Sequence, residues 1–232
     1  MGDYAERRDI ELVSDLRRIA MYLGIVNSGY ATAFFTPTIL YQMGWTALRA
    51  QVMAIPIFVA AAFLTLASAV VSDRMHHRFG FTIVGCIIAT VGYILLLCQK
   101  QVPVGVRYFA LYAISCGSYI TLPVCLTWIS NNMGGHYKRA ISSAAQVGLG
   151  NIGGIIASTV FGIPGEAPTY YIGFGVSLAL VWVCLFSCVA LFFYLRHENR
   201  IRAEGERDYL LELPETEVNN LGDDHPRFKF SY

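Results

Sequence analysis

The sequence predicts an all-α membrane protein whose body is six transmembrane helices, with both termini facing the cytoplasm. Three observations predict it. Of the 232 residues, 55% are hydrophobic and only 14% charged, against about 25% charged in an ordinary soluble domain. The charges are also segregated, with nine in residues 1–18, fifteen in residues 196–232, and only nine between. The internal ones, Arg49, Asp73, Arg74, Arg78, Lys100, Arg107, Lys138, Arg139 and Glu166, fall in short clusters separated by uncharged runs. At about 1.5 Å per residue, a run of about 20 residues crosses a hydrocarbon layer roughly 30 Å thick.

The runs place spans at 19–43, 50–71, 79–98, 108–130, 140–163 and 170–195. Inside lipid the backbone must satisfy its own hydrogen bonds, so runs without strand-like alternation form helices. Threaded back and forth, the six put fourteen of the seventeen Lys and Arg on one side and only Arg49, Lys100 and Arg107 on the other. The rich side is the cytoplasmic one.

The first span carries Asn27, Ser28, Tyr30, Thr32, Thr36 and Thr38, and the fourth Tyr112, Ser115, Ser118, Tyr119, Thr121 and Thr127. Most hydroxyls of this kind bond back to their own helix. The amides Gln146 and Asn151 in the fifth span need a partner from another helix or from a ligand. Pro37, Pro56 and Pro123 are expected to kink their helices, which membrane neighbours accommodate. The fifth span is rich in small residues, with a Gly150-to-Gly154 step that permits close helix approach, so it is expected to be a central packing element. Beyond Arg196, Arg200 and Arg202 the tail is polar, with six basic and nine acidic residues from 196 onward, and is expected to be disordered.

The chemistry that is missing narrows the function. All five histidines, His76, His77, His136, His197 and His225, fall in loops or tail, so no metal or haem site is expected within the bundle. The cysteines sit in or beside apolar runs without ligand spacing and read as small hydrophobes. No Gly-rich phosphate loop is present, and no catalytic residue, metal site or cofactor is expected. The near-zero net charge, +1, offers nothing for nucleic acid. The N-terminus is too polar for a cleavable signal, so insertion relies on internal helices.

The run Ser72-Asp73-Arg74-Met75-His76-His77-Arg78 resembles the Asp-Arg-x-x-x-Arg turn of major facilitator superfamily transporters. Ala69 stands where that motif usually has Gly. Phe34-Phe35-Thr36-Pro37-Thr38-Ile39-Leu40, with Met43-Gly44-Trp45-Thr46-Ala47 and Ile55-Pro56, is similar to the seventh helix and outer turn of the fungal allantoate and nicotinate permease branch, among the anion:cation symporters. Leu126 through Ala140, continuing to Gly150-Asn151-Ile152-Gly153-Gly154, resembles that branch's tenth-to-eleventh helix segment. Ala167-Pro168-Thr169-Tyr170 resembles its turn into the twelfth.

The resemblance covers residues 18 to 202 and implies the C-terminal six-helix half of a twelve-helix transporter. It further implies transport of a small organic anion or carboxylate-bearing solute by alternating access, a possible coupled proton, a second six-helix half as partner, and a plasma membrane location. Asn27, Tyr30, Tyr119 and Asn151 are expected to face the substrate. Ser72, Asp73, Arg74 and Arg78 are expected to form a cytoplasmic conformational latch. The alternative is a non-transporting six-span protein that engages a partner through its tail, where Glu206-Arg207-Asp208-Tyr209-Leu210-Leu211 has the form of an acidic dileucine signal.

Overall fold

The computed structural model describes residues 2–75, 77–205, 209 and 222–231, with side chains from residue 18 onward except at 136, 138 and 224. Among the described residues seven α-helices follow in order: α1 (Gly2–Gln42), α2 (Ala47–Met75), α3 (Arg78–Leu97), α4 (Val104–Asn131), α5 (His136–Gly150), α6 (Ile152–Phe161) and α7 (Tyr171–Ala203), then a 3-10 turn at Gly222–Asp224. No strand occurs among the described residues. The Glu206–Leu211 signal lies outside the described residues apart from Tyr209.

Among the described residues, five stretches are long and apolar enough to cross a membrane: α2, α3, α4, α5 with α6 from Arg139 to Phe161, and α7. α1 has the length, at 41 residues, but its apolar half is diluted by the amide and hydroxyls at Asn27, Ser28, Thr32 and Thr36. Those four side chains are buried inside the bundle. Helices continue through Pro37, Pro56 and Pro123. Hydroxyls close back on their own helices as expected, Thr82 Oγ1 donating to the Arg78 carbonyl at 3.1 Å and Thr121 Oγ1 to that of Gly117 at 2.8 Å.

α4 is the central helix, packed against α1, α2 and α3, while α7 lies against α1 and α3. Its buried face carries Leu111, Ile114, Cys125 and Trp128, which meets Phe79 edge to face at 6.3 Å. Leu, Ile and Trp side chains excluded from solvent this fully contribute about 1.5–3 kcal/mol each where the alternative is water. Cys86, Cys116, Cys125, Cys184 and Cys188 are buried free thiols, as expected of small hydrophobes, whereas Cys98 is exposed.

The fifth predicted span departs from expectation twice. It is interrupted at Asn151, where the ladder tightens and the Gly154 amide reaches the Asn151 carbonyl at 2.9 Å. It is also peripheral rather than central, since Ala144, Ala145, Val147 and Leu149 are exposed and only one stripe of α6 packs on α1. That stripe is glycine: a Cβ at Gly153 would lie 2.7 Å from the Leu23 carbonyl oxygen, and one at Gly154 2.8 Å from the Tyr30 ring. The small residues thus serve one close approach, and the rest of the helix pair keeps an open face.

The expectation of a disordered tail is corrected at residues 222–231. That segment lies against the ends of α4 and α7, with Phe230 buried. Polar side chains there bind its backbone, which composition does not reveal. Arg18, Arg78, Arg139 and Arg202 all gather at this end, through Met133, Asn131 and the 222–231 segment. The opposite end joins Gln42 Nε2 to the Tyr170 hydroxyl at 2.8 Å and Gln99 Nε2 to the Thr169 carbonyl at 2.6 Å.

Candidate functional site

The polar face of α1 is the natural starting point, because uncharged polar groups at membrane depth need defined partners. Asn27 is fully buried, and its Nδ2 donates to Ser177 Oγ of α7 at 2.9 Å. Its Oδ1 has no hydrogen-bond partner. One residue on, Ser28 Oγ and the Tyr93 hydroxyl of α3 lie 2.6 Å apart. This pair of contacts ties α1 to α3 and α7 deep in the bundle.

Two residues further, Tyr30 turns to a different neighbour. Its hydroxyl donates to Asn151 Oδ1 at 2.9 Å, at the break between α5 and α6. The Tyr30 ring stacks on Phe34 at 5.5 Å with a 24° interplanar angle, and Phe34 is exposed. An amide whose Nδ2 remains available thus sits beside an aromatic surface on an open face, which suits a flat ring bearing a hydrogen-bond acceptor.

The four expected substrate-facing residues therefore separate. Tyr30 and Asn151 are brought together, Asn27 lies behind them against α7, and Tyr119 is apart, half-buried and edge to face with Phe58 of α2 at 6.4 Å. Sequence reasoning missed Ser177, Tyr93 and Phe34. Ser177 was the most visible of these, a hydroxyl within the otherwise apolar start of α7.

At the arginine-rich end a cavity of about 370 Å³ opens between α1, α4 and α5, lined by Arg18, Ile19, Ile129, Met133, Tyr137, Ile141, Ser142, Ala145 and Gln146. Gln146 is only 3% exposed, and neither its amide nitrogen nor its amide oxygen has a partner. Arg18 Nη1 lies 3.5 Å from Met133 Sδ. The cavity is mainly apolar, with one guanidinium and one unpaired amide in its wall.

Two of the four residues expected at the α2–α3 turn pair with each other. Arg78 Nη2 donates to Asp73 Oδ1 at 3.1 Å, with the arginine side chain 11% exposed and the carboxylate 68%. With its Oδ1 facing the guanidinium, Asn131 accepts from both Arg78 Nη1 and Nη2 at 2.9 Å. Ser72 is buried and Arg74 is exposed. The contact with Asn131 was not foreseen.

No family model matches the chain. It is 38% identical over 171 residues to an uncharacterized transporter of Schizosaccharomyces pombe, covering 73% of this chain and 33% of the relative. It is 31% identical over 210 residues to the high-affinity nicotinic acid transporter of Saccharomyces cerevisiae, covering 90% and 39%. It is 32% identical over 210 residues to the MFS-type transporter cnsO of Penicillium expansum, covering 87% and 40%. A more distant likeness, 29% identical over 177 residues, is to vitamin H transporter 1 of Schizosaccharomyces pombe. The chain is thus an all-helical membrane protein similar to fungal transporters, some of major facilitator type, and it spans about two fifths or less of the length of those relatives.

Proposed function

We propose that the chain is a six-helix half of a twelve-helix major facilitator transporter of the anion:cation symporter type, moving a small carboxylate-bearing solute across the plasma membrane by alternating access. The observation that carries this is the likeness across 73% to 90% of the chain to proteins named as transporters, one of them for nicotinic acid. In this reading α1 is the first of six spans, its polarity reflecting hydrogen bonds to α3 and α7 inside the bundle, and both ends are cytoplasmic. Tyr30, Phe34 and Asn151 form one wall of the binding site, with Asn27 behind them. Tyr119, packed on α2, is not part of that wall.

Nicotinic acid is a flat ring carrying a carboxylate, and the Tyr30–Phe34 stack beside Asn151 offers a surface and a donor for such a molecule. The solute's charge is met by cationic groups of the partner half together with Arg18 at the cytoplasmic mouth. Proton coupling likewise needs acids from the partner half, since the charge-free spans here contain none. The Asp73–Arg78–Asn131 cluster is the latch on this half.

Uptake of radiolabelled nicotinic acid into cells lacking their own carrier tests the proposal. The expected result is saturable uptake when the chain is joined to, or co-expressed with, a complementary six-helix half. Absence of uptake of nicotinic acid, biotin and other small organic acids by a correctly inserted pair would overturn it.

A further inference from the structure

Two adjacent asparagines at the end of α4 hold different partners. Asn131 receives Arg78, itself paired with Asp73. Asn132 turns to the 222–231 segment, where its Nδ2 donates to the Ser231 carbonyl at 2.9 Å and its Oδ1 accepts the Ser231 amide at 2.7 Å. Asn199 on α7 repeats the arrangement one residue earlier, donating to the Phe230 carbonyl and accepting the Phe230 amide, both at 2.9 Å. The Trp128 indole Nε1 donates to the same Ser231 carbonyl at 2.9 Å.

Arg202 completes the groove. Its Nη1 donates to the carbonyls of Asp223, His225 and Phe228 at 2.8, 3.2 and 3.2 Å, its Nε to Glu198 at 3.1 Å, and its guanidinium lies 4.5 Å over the Phe230 ring. Gly134 gives the segment room, because a Cβ there would collide with the backbone of Gly222 and Asp223. Nearly every polar contact is to main-chain atoms, so what the groove reads is the backbone of a turn and the irregular run that follows it, with an aromatic side chain beneath the arginine. The helices joined are not close neighbours. α3 lies between α4 and α7, with Phe79 stacked on Phe192 at 4.1 Å and edge-on to Trp128. The segment bridges them across the end.

We propose that Trp128, Asn132, Asn199 and Arg202 form a peptide-binding groove whose occupant is the chain's own residues 222–231, and that the docked segment clasps α4 to α7 and must release before this end of the half opens. The opening rests on the transporter reading above; the groove does not. Both states are accessible, since the groups involved lie at the aqueous end of the bundle, where water replaces each contact on release. The clasp is joined to the latch through Asn131 and Asn132, so movement at the α2–α3 turn is felt at the groove.

The test uses the whole chain in lipid nanodiscs. Hydrogen exchange read by mass spectrometry compares the chain with Asn132→Ala/Asn199→Ala and with Ser231→Pro, which removes the amide that Asn132 accepts and leaves the helices untouched. Phe230 and Ser231 amides are expected to exchange at least tenfold more slowly in the unaltered chain than the Phe230 amide does in either variant. Exchange at the free-peptide rate in the unaltered chain would overturn the groove. In a second arm, a cysteine at Ile129, which lines the cavity at this end, is labelled with a maleimide. Ser231→Pro is expected to speed labelling several-fold, and an unchanged rate in a variant whose segment has come free would overturn the clasp. Neither arm reads uptake, so failure of the transporter reading leaves both results decisive.

Discussion

Tyr30 and Asn151 lie 121 positions apart in sequence and share one hydrogen bond at an open face. If that face meets the solute, Asn151→Ala removes a donor from the bound state and leaves turnover chemistry elsewhere intact. The expected effect in a transporting pair is a KM raised about tenfold, equivalent to about 1.4 kcal/mol, with maximal uptake retained; an initial-rate series in solute concentration checks it. Gln146 is the opposite case. Its buried amide has two unsatisfied atoms, and leaving such groups unpaired costs about 1–3 kcal/mol. Gln146→Leu is therefore expected to raise the melting temperature in detergent by several degrees while lowering uptake. A lower melting temperature would mean that the amide is satisfied in the folded protein.

Among the elements, α6 depends on the narrowest requirement. Gly153 lies directly against the α1 backbone, so Gly153→Leu must push the helices apart, at a cost of about 1–3 kcal/mol for overpacking. Thermal unfolding in detergent is expected to show this loss, whereas Gly148→Leu on the exposed side of α5 leaves the midpoint nearly unchanged.

The helix bodies were legible because exclusion of charge is a long-range signal: each of the six uncharged runs coincides, to within two residues at the ends that overrun, with part of a helix or, for the fifth, a helix pair. The break at Asn151 was not, since an asparagine without a neighbouring proline carries no strong stop signal. The peripheral position of α5 was misread because small residues announce a close approach without saying on how many sides. Of the expected site, the Tyr30–Asn151 and Asp73–Arg78 pairs came together, while Tyr119 stands apart. The groove for residues 222–231 was invisible because Asn132 and Asn199 bind main-chain atoms, which leave no residue pattern.

Over the whole molecule, the outward side of α2 is a continuous apolar surface, with Leu48, Val52, Ile55, Val59, Phe63 and Leu66 exposed. Patches of this size meet lipid or another protein, and a second six-helix half is the partner the transporter reading requires. That reading also fixes a parity. Five stretches qualify as spans on length and hydropathy, and five crossings put the two ends on opposite sides. Counting the polar α1 makes six and returns both ends to the cytoplasm. The measurement that tests this most directly is side-specific labelling of single tags at the N-terminus and at residue 232 in intact cells and after permeabilisation. The account expects both tags to be protected in intact cells and labelled after permeabilisation. An N-terminal tag reached from outside while the tail stays protected would leave α1 out of the membrane and contradict the half-transporter architecture.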